Sequence, residues 1–133
     1  MNRTELREQV FKLLFRVEFN PIDEMPEQEE LFTTTSDIEF STKDAEYIRD
    51  KYEKIADKLS EIDEAINEKT TGWSTSRIGK VDLAIIRLAV YEIRYDDSVP
   101  TAAAINEAVE LAKKFGQDGS PSFVNGVLSK FAQ

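Results

Sequence analysis

The chain has 133 residues, 41% apolar and 32% charged, with a formal net charge of −9, a balance that can bury a core and argues against disorder. It contains neither cysteine nor histidine, which excludes disulfides, thiolate zinc sites, cysteine nucleophiles and histidine general bases. No apolar run approaches the roughly 20 residues of a membrane span and no signal-peptide pattern follows Met1, so a cytoplasmic protein without a membrane partner is expected.

Helical periodicity dominates, with no alternating strand pattern, internal repeat or low-complexity tract. The first helix is predicted to start near Thr4 as N-cap and run to about Phe19, where Asn20-Pro21 stops it. Along it Leu6, Val10, Leu13, Leu14 and Val17 form a core stripe at about 100° per residue. Arg3, Arg7, Phe11 and Phe15 follow one another at four-residue spacing on a second line that drifts away from that stripe. Cations followed by aromatics on a non-core face suit RNA, because the cations meet phosphate and the rings stack on unpaired bases. A sandwiched helix with Phe11 and Phe15 in a second core layer accounts for the same spacing.

A polar stretch from Pro21 to Glu30 follows, with a weakly signalled short helix over Glu27 to Phe32. Ser41-Thr42 then caps a charged segment reaching about Lys69. There Ala45, Ile48, Tyr52, Ile55, Leu59, Ile62 and Ile66 recur at threes and fours, as one amphipathic helix or two joined by a kink. The excess of acid lies here: Glu18 to Glu68 holds 17 acids and 5 bases, and the rest of the chain 9 acids and 12 bases. Such polarity can orient a molecule, with an acidic side toward a basic protein and another side toward an anion, although a solubilising surface needs no partner.

Thr70-Thr71-Gly72 breaks the segment, and Trp73 reads as a core or inter-subdomain anchor. Val81 to Tyr95 is apolar on nearly every side, as expected of a helix in the middle of a bundle. Arg87 inside it needs an internal carboxylate, which Asp82 or Glu92 could supply. After Val99-Pro100 the next helix runs from about Thr101 to Phe115, closed by Lys113, Lys114 and a C′ glycine at Gly116. Ser120 and Pro121 read as N-cap and first residue of a last helix that packs Val124, Val127, Leu128 and Phe131. The expected fold is all-α, a bundle of about six or seven helices in two closely packed subdomains, residues 1–72 and 73–133.

The corner between the last two helices combines Lys113, Lys114, Phe115 and Phe123 with free N–H groups after Ser120 that could receive a phosphate. An ordinary helix-loop-helix corner has the same ingredients. Gly126 within the last helix costs on the order of 1 kcal/mol relative to alanine and hints at close packing. Catalytic readings find no support. The carboxylates lie on charged helical faces, Asp44, Glu46 and Asp50 lack a calcium loop, and the glycines match no phosphate or dinucleotide loop. No catalytic residue, metal or cofactor is expected.

From Trp73 onward the residues form a recognisable series: Arg77, Asp82, Ile86-Arg87, Ala89, Tyr91-Glu92 and Pro100, the run Ile105 to Gly116, then Ser120 and Phe123 to Leu128. This series closely resembles the core of the NusB family of bacterial transcription antitermination factors, and the first half matches by layout. The resemblance implies an all-helical protein of two subdomains that binds boxA-type RNA in the leader and spacer regions of ribosomal RNA transcripts. It implies NusE, a small-subunit ribosomal protein, as partner, and an RNA polymerase antitermination complex as the place of action. Carried over by position, the implied RNA face includes Arg3, Arg7, Phe15, Phe115, Ser120 and Phe123. The implied partner surface lies on the margin of the Val81–Tyr95 helix and the charged segment before Gly72.

Family members often begin with a dense arginine cluster, whereas here Glu5 and Glu8 dilute Arg3 and Arg7. Modest RNA affinity is therefore expected of the protein alone, with a shallow salt dependence that steepens when a basic partner joins. Two other readings stay open. One is an RNA-binding domain related to that of ribosomal RNA cytosine methyltransferases; the other is a protein–protein adaptor without RNA binding. A homodimer that covers the RNA face is also open.

Overall fold

The computed structural model describes every residue except Trp73 and Gln133, so the anchoring role expected of Trp73 lies outside the described residues. Among the described residues seven α-helices follow in order: α1 (Arg3–Phe15), α2 (Met25–Thr35), α3 (Thr42–Asp57), α4 (Leu59–Lys69), α5 (Lys80–Tyr95), α6 (Thr101–Phe115) and α7 (Ser120–Ser129). Two 3-10 turns, Arg16–Glu18 and Ile22–Glu24, lie between α1 and α2. No strand occurs among the described residues. No helix among them is long and apolar enough to cross a membrane. The chain forms two compact units, Met1–Ala56 and Asp57–Gln133.

In the first unit the cap of α1 is Asn2, not Thr4. The Asn2 side chain accepts from the Glu5 N–H at 2.8 Å, and the Glu5 carboxylate accepts from the Asn2 N–H at 3.0 Å. This reciprocal pair satisfies two donors that the first turn would otherwise leave open. The α-helical geometry ends at Phe15, and a 3-10 turn carries the chain to Phe19, with the Asn20 amide donating to the Arg16 carbonyl at 2.9 Å. Helix α2 is longer than its weak signal suggested. Its last turn is Thr33-Thr34-Thr35, whose hydroxyls donate to carbonyls three or four residues back, the bond by which a helical threonine satisfies its hydroxyl.

The charged segment resolves into two helices. Ser41 caps α3 by accepting the Asp44 N–H at 3.1 Å, and Lys58 interrupts the run with φ −105° and ψ 8°. Ile48, Tyr52, Ile55, Ile62 and Ile66 from the predicted stripe are all buried. Gly72 takes φ +85°, a left-handed turn that disfavours a side chain.

In the second unit α5 packs against α4, α6 and α7, and every residue from Leu83 to Glu92 is buried. This is the central helix that its all-round apolarity predicts. Because α4 packs on α5, it belongs with the second unit, and the Gly72 turn lies inside that unit. Arg87 is 8% exposed, and it reaches a carboxylate beyond its own helix, Asp63. Its Nε and Nη2 donate to the two carboxylate oxygens of Asp63 on α4, each at 2.8 Å. A planar guanidinium and a carboxylate meet best in this two-pronged form.

Candidate nucleic-acid interface

Helix α1 presents the first candidate surface. Arg3 at its start is exposed, whereas Arg7 is 8% exposed and engaged within the protein. Phe11 is buried in the core, Phe15 is half-buried, and Phe19 in the following turn is 59% exposed. The three rings form a ladder. Phe15 lies 6.3 Å from Phe11 and meets Phe19 edge-on at 5.1 Å. The second core layer thus exists, but it ends at Phe11. Phe19 was missed as a candidate, although it continues the four-residue spacing of Arg3, Arg7, Phe11 and Phe15.

The acids that thin the arginine cluster have structural partners. Glu5 closes the capping box, and Glu8 pairs with Lys12 at 3.5 Å. Arg16 is held as well, with its guanidinium 5.0 Å above the Phe32 ring and 3.0 Å from Gln28 Oε1. In this unit Arg3 supplies an exposed cation, and Phe15 with Phe19 supplies accessible ring.

The second candidate surface is the corner between α6 and α7. Phe115 is half-buried beneath Lys114, whose ammonium sits 5.4 Å from the ring centre, and Lys113 is exposed and paired with Glu110 at 3.2 Å. Ser120 is 5% exposed and does not cap α7 forward. Its hydroxyl accepts from the Gln117 N–H at 3.0 Å, while its own N–H donates to the Gln117 carbonyl at 2.9 Å. The Phe123 N–H bonds to the Gly119 carbonyl, and Pro121 has no N–H, so the expected row of free amides shrinks to that of Ser122. Phe123 itself is half-buried on the first turn of α7.

Gly116 ends α6 as predicted, but for a different reason. Its φ is −91°, which any residue adopts. What excludes a side chain is space, since a Cβ there would lie 2.5 Å from the Ser120 side chain and 2.8 Å from the Ala112 carbonyl oxygen. Gly116→Ala is expected to destabilise the fold by about 1–3 kcal/mol through overpacking. A urea melt showing a stability equal to that of the parent protein would contradict this.

Phe115 and Ser120 line a cleft of about 380 Å³ together with residues 79–82 at the start of α5 and residues 116–117 of the corner. A shallower groove of about 570 Å³ runs along the other side of the corner, past Asn106, Lys113, Ser122 and Asn125. Among the described residues no acidic cluster could hold a metal ion.

Comparison with known proteins places this geometry in context. The family model described as the NusB family matches residues 4–133. The transcription antitermination protein NusB of Agathobacter rectalis is 54% identical, over 99% of this chain and 100% of its own length. That of Clostridium novyi is 41% identical over 96% of each chain. The solved structure of NusB from T. maritima superposes with a TM-score of 0.84 at 34% identity, covering 99% of this chain and 91% of that one. A structure of the antitermination factors NusB and NusE in complex with dsRNA superposes with a TM-score of 0.77 at 26% identity, covering 98% and 95%. These relatives are antitermination factors rather than enzymes. With a family model matching almost end to end and relatives this similar along their whole length, the chain belongs to the NusB family.

Proposed function

We propose that the protein is a cytoplasmic RNA-binding antitermination factor that recognises boxA-type RNA of ribosomal RNA transcripts together with NusE and acts on elongating RNA polymerase. The observation that carries this reading is the end-to-end likeness to NusB chains, one of them in complex with NusE and dsRNA. Partly accessible rings beside cations at two places support it, because sequence-tolerant stacking and phosphate pairing need just these groups.

In this reading Arg3 pairs with phosphate, and Phe15, Phe115 and Phe123 offer ring faces to splayed bases, with Phe19 extending the first surface. Arg7 and Ser120 are buried, so their contribution is to hold their neighbours in place. The acidic stretch from Glu18 to Glu68 favours a basic protein partner, which then supplies many of the phosphate contacts.

A titration of labelled boxA-type RNA with and without NusE tests the proposal. Binding is expected to be modest alone and tighter with NusE, with a steeper salt dependence in the ternary complex. Equal binding of a scrambled RNA under both conditions would refute specific recognition and favour the adaptor reading. Phe15→Ala and Phe123→Ala are each expected to weaken RNA binding by about 1–3 kcal/mol. If instead the melting temperature falls and affinity per folded molecule stays constant, the rings serve packing alone.

A further inference from the structure

We propose that Arg16 is a phosphate-binding residue of the first surface that α2 holds in reserve, its guanidinium passing from Gln28 to the RNA backbone as RNA binds. The proposal rests on the RNA-binding reading and adds to it a residue and an exchange of partners.

Arg16 opens the 3-10 turn that follows α1, next in the chain to Phe15 and three residues before Phe19, whose rings meet at 5.1 Å. A cation beside accessible rings grips a single strand, with the charge on phosphate and the rings on bases. Here the side chain is turned to α2 instead. Its Nη1 donates to Gln28 Oε1 at 3.0 Å, with the Gln28 carbonyl oxygen at 3.5 Å. The guanidinium stands 5.0 Å from the centre of the Phe32 ring.

These are neutral partners for a charge. Arg16 is half-buried and makes no ion pair among the described residues, although carboxylates follow it closely at Glu18, Asp23 and Glu24. An amide oxygen offers a guanidinium one uncharged acceptor, whereas a phosphate offers two charged oxygens at the spacing of its planar fork. Once a base stacks on Phe15, phosphate therefore displaces Gln28. The exchange gives the first surface a cation beyond Arg3, which its thinned arginine cluster otherwise lacks. Arg3 and Arg16 lie at opposite ends of α1, about 20 Å apart at roughly 1.5 Å per residue, a line that one strand can follow.

The test is a titration of labelled boxA-type RNA against the complex with NusE over a series of salt concentrations. Arg16→Gln is expected to weaken binding about tenfold. It should also make the log–log salt slope shallower by about 0.7, the contribution of one phosphate on a single strand. Arg16→Lys should keep the parent slope. Gln28→Ala should tighten binding about threefold, the worth of a weak hydrogen bond that RNA no longer has to displace, and that gain should vanish in the Arg16→Gln background. A parent-like slope for Arg16→Gln would overturn the assignment, as would a Gln28→Ala gain that persists without Arg16, or no gain at all. Weaker binding of NusE to Arg16→Gln in the absence of RNA would overturn it too, by making the residue a protein contact. Failure of the underlying RNA reading is distinguishable, since scrambled RNA would then bind the parent as well as boxA-type RNA does. Thermal melts of the variants separate loss of contact from loss of fold, and the salt slope does not depend on the fraction folded.

Discussion

Arg87→Ala is expected to destabilise the protein by about 3 kcal/mol, the lower end of what breaking a buried ion pair costs. The guanidinium is almost fully enclosed and bonds to both carboxylate oxygens of Asp63 at 2.8 Å. Truncation leaves a cavity and strips the Asp63 carboxylate of its partner, and because that side chain is 25% exposed, water offsets part of the penalty. A matched apolar replacement, Arg87→Met with Asp63→Leu, is expected to recover most of the loss, since the penalty comes from an unpaired charge rather than from the absence of one. Urea melts of the single and double variants decide this. A single variant within 0.5 kcal/mol of the parent would show that the pair holds nothing together.

The second large effect is a dependence of stability on pH near neutrality. Glu29 on α2 is 3% exposed, and its carboxyl is held up to about 7 from an ordinary 4.5. Burial is the main cause, followed by the hydrogen bond and the charge of Glu53, with Arg49 acting in the opposite direction. Arg49 Nε stands 3.9 Å from Glu29 Oε1, which makes no hydrogen bond. The Tyr52 hydroxyl likewise has no hydrogen-bond partner, and burial, with Glu29 and Glu53 beside it, pushes it up to about 12.

Two carboxyls joined by a hydrogen bond must share a proton, and folding therefore retains a proton on Glu29 that the unfolded chain releases near 4.5. The stabilisation is complete below that value and is lost as pH rises through about 7. Between pH 5.5 and 8 this site is expected to remove about 2 kcal/mol, from roughly 1.4 kcal/mol per pH unit over the window in which only the folded state holds the proton. Glu29→Gln keeps the shape and the neutral charge, so it should flatten the curve and be the more stable protein at pH 8. Parallel curves for the two proteins across that range would show that Glu29 is ionised throughout.

Much of the architecture follows from local chemistry that a sequence displays. The predominantly apolar run of α5, the stop at Phe115-Gly116 and the Ser120-Pro121 start of α7 each depend on neighbours within one turn, and each lies where the residues place it. The candidate surfaces were only partly legible. Four-residue spacing located the aromatic line on α1 but could not say where along it burial ends, because that depends on which elements cover the helix. Ser120 has the composition of a cap, yet its hydroxyl turns back to Gln117 because the corner folds over it.

What the sequence by itself determined, then, is the helical class, most helix boundaries and the central place of α5, which rest on patterns repeating every three or four residues, while the family resemblance rests on the residue series from Trp73 to Leu128. Tertiary structure alone decided that Arg87 meets Asp63 on α4, that Glu29 lies against Glu53, and that Phe11 is sealed while Phe19 is open. Those outcomes depend on which helix faces meet, and side chains far apart in the chain become neighbours only when their helices pack.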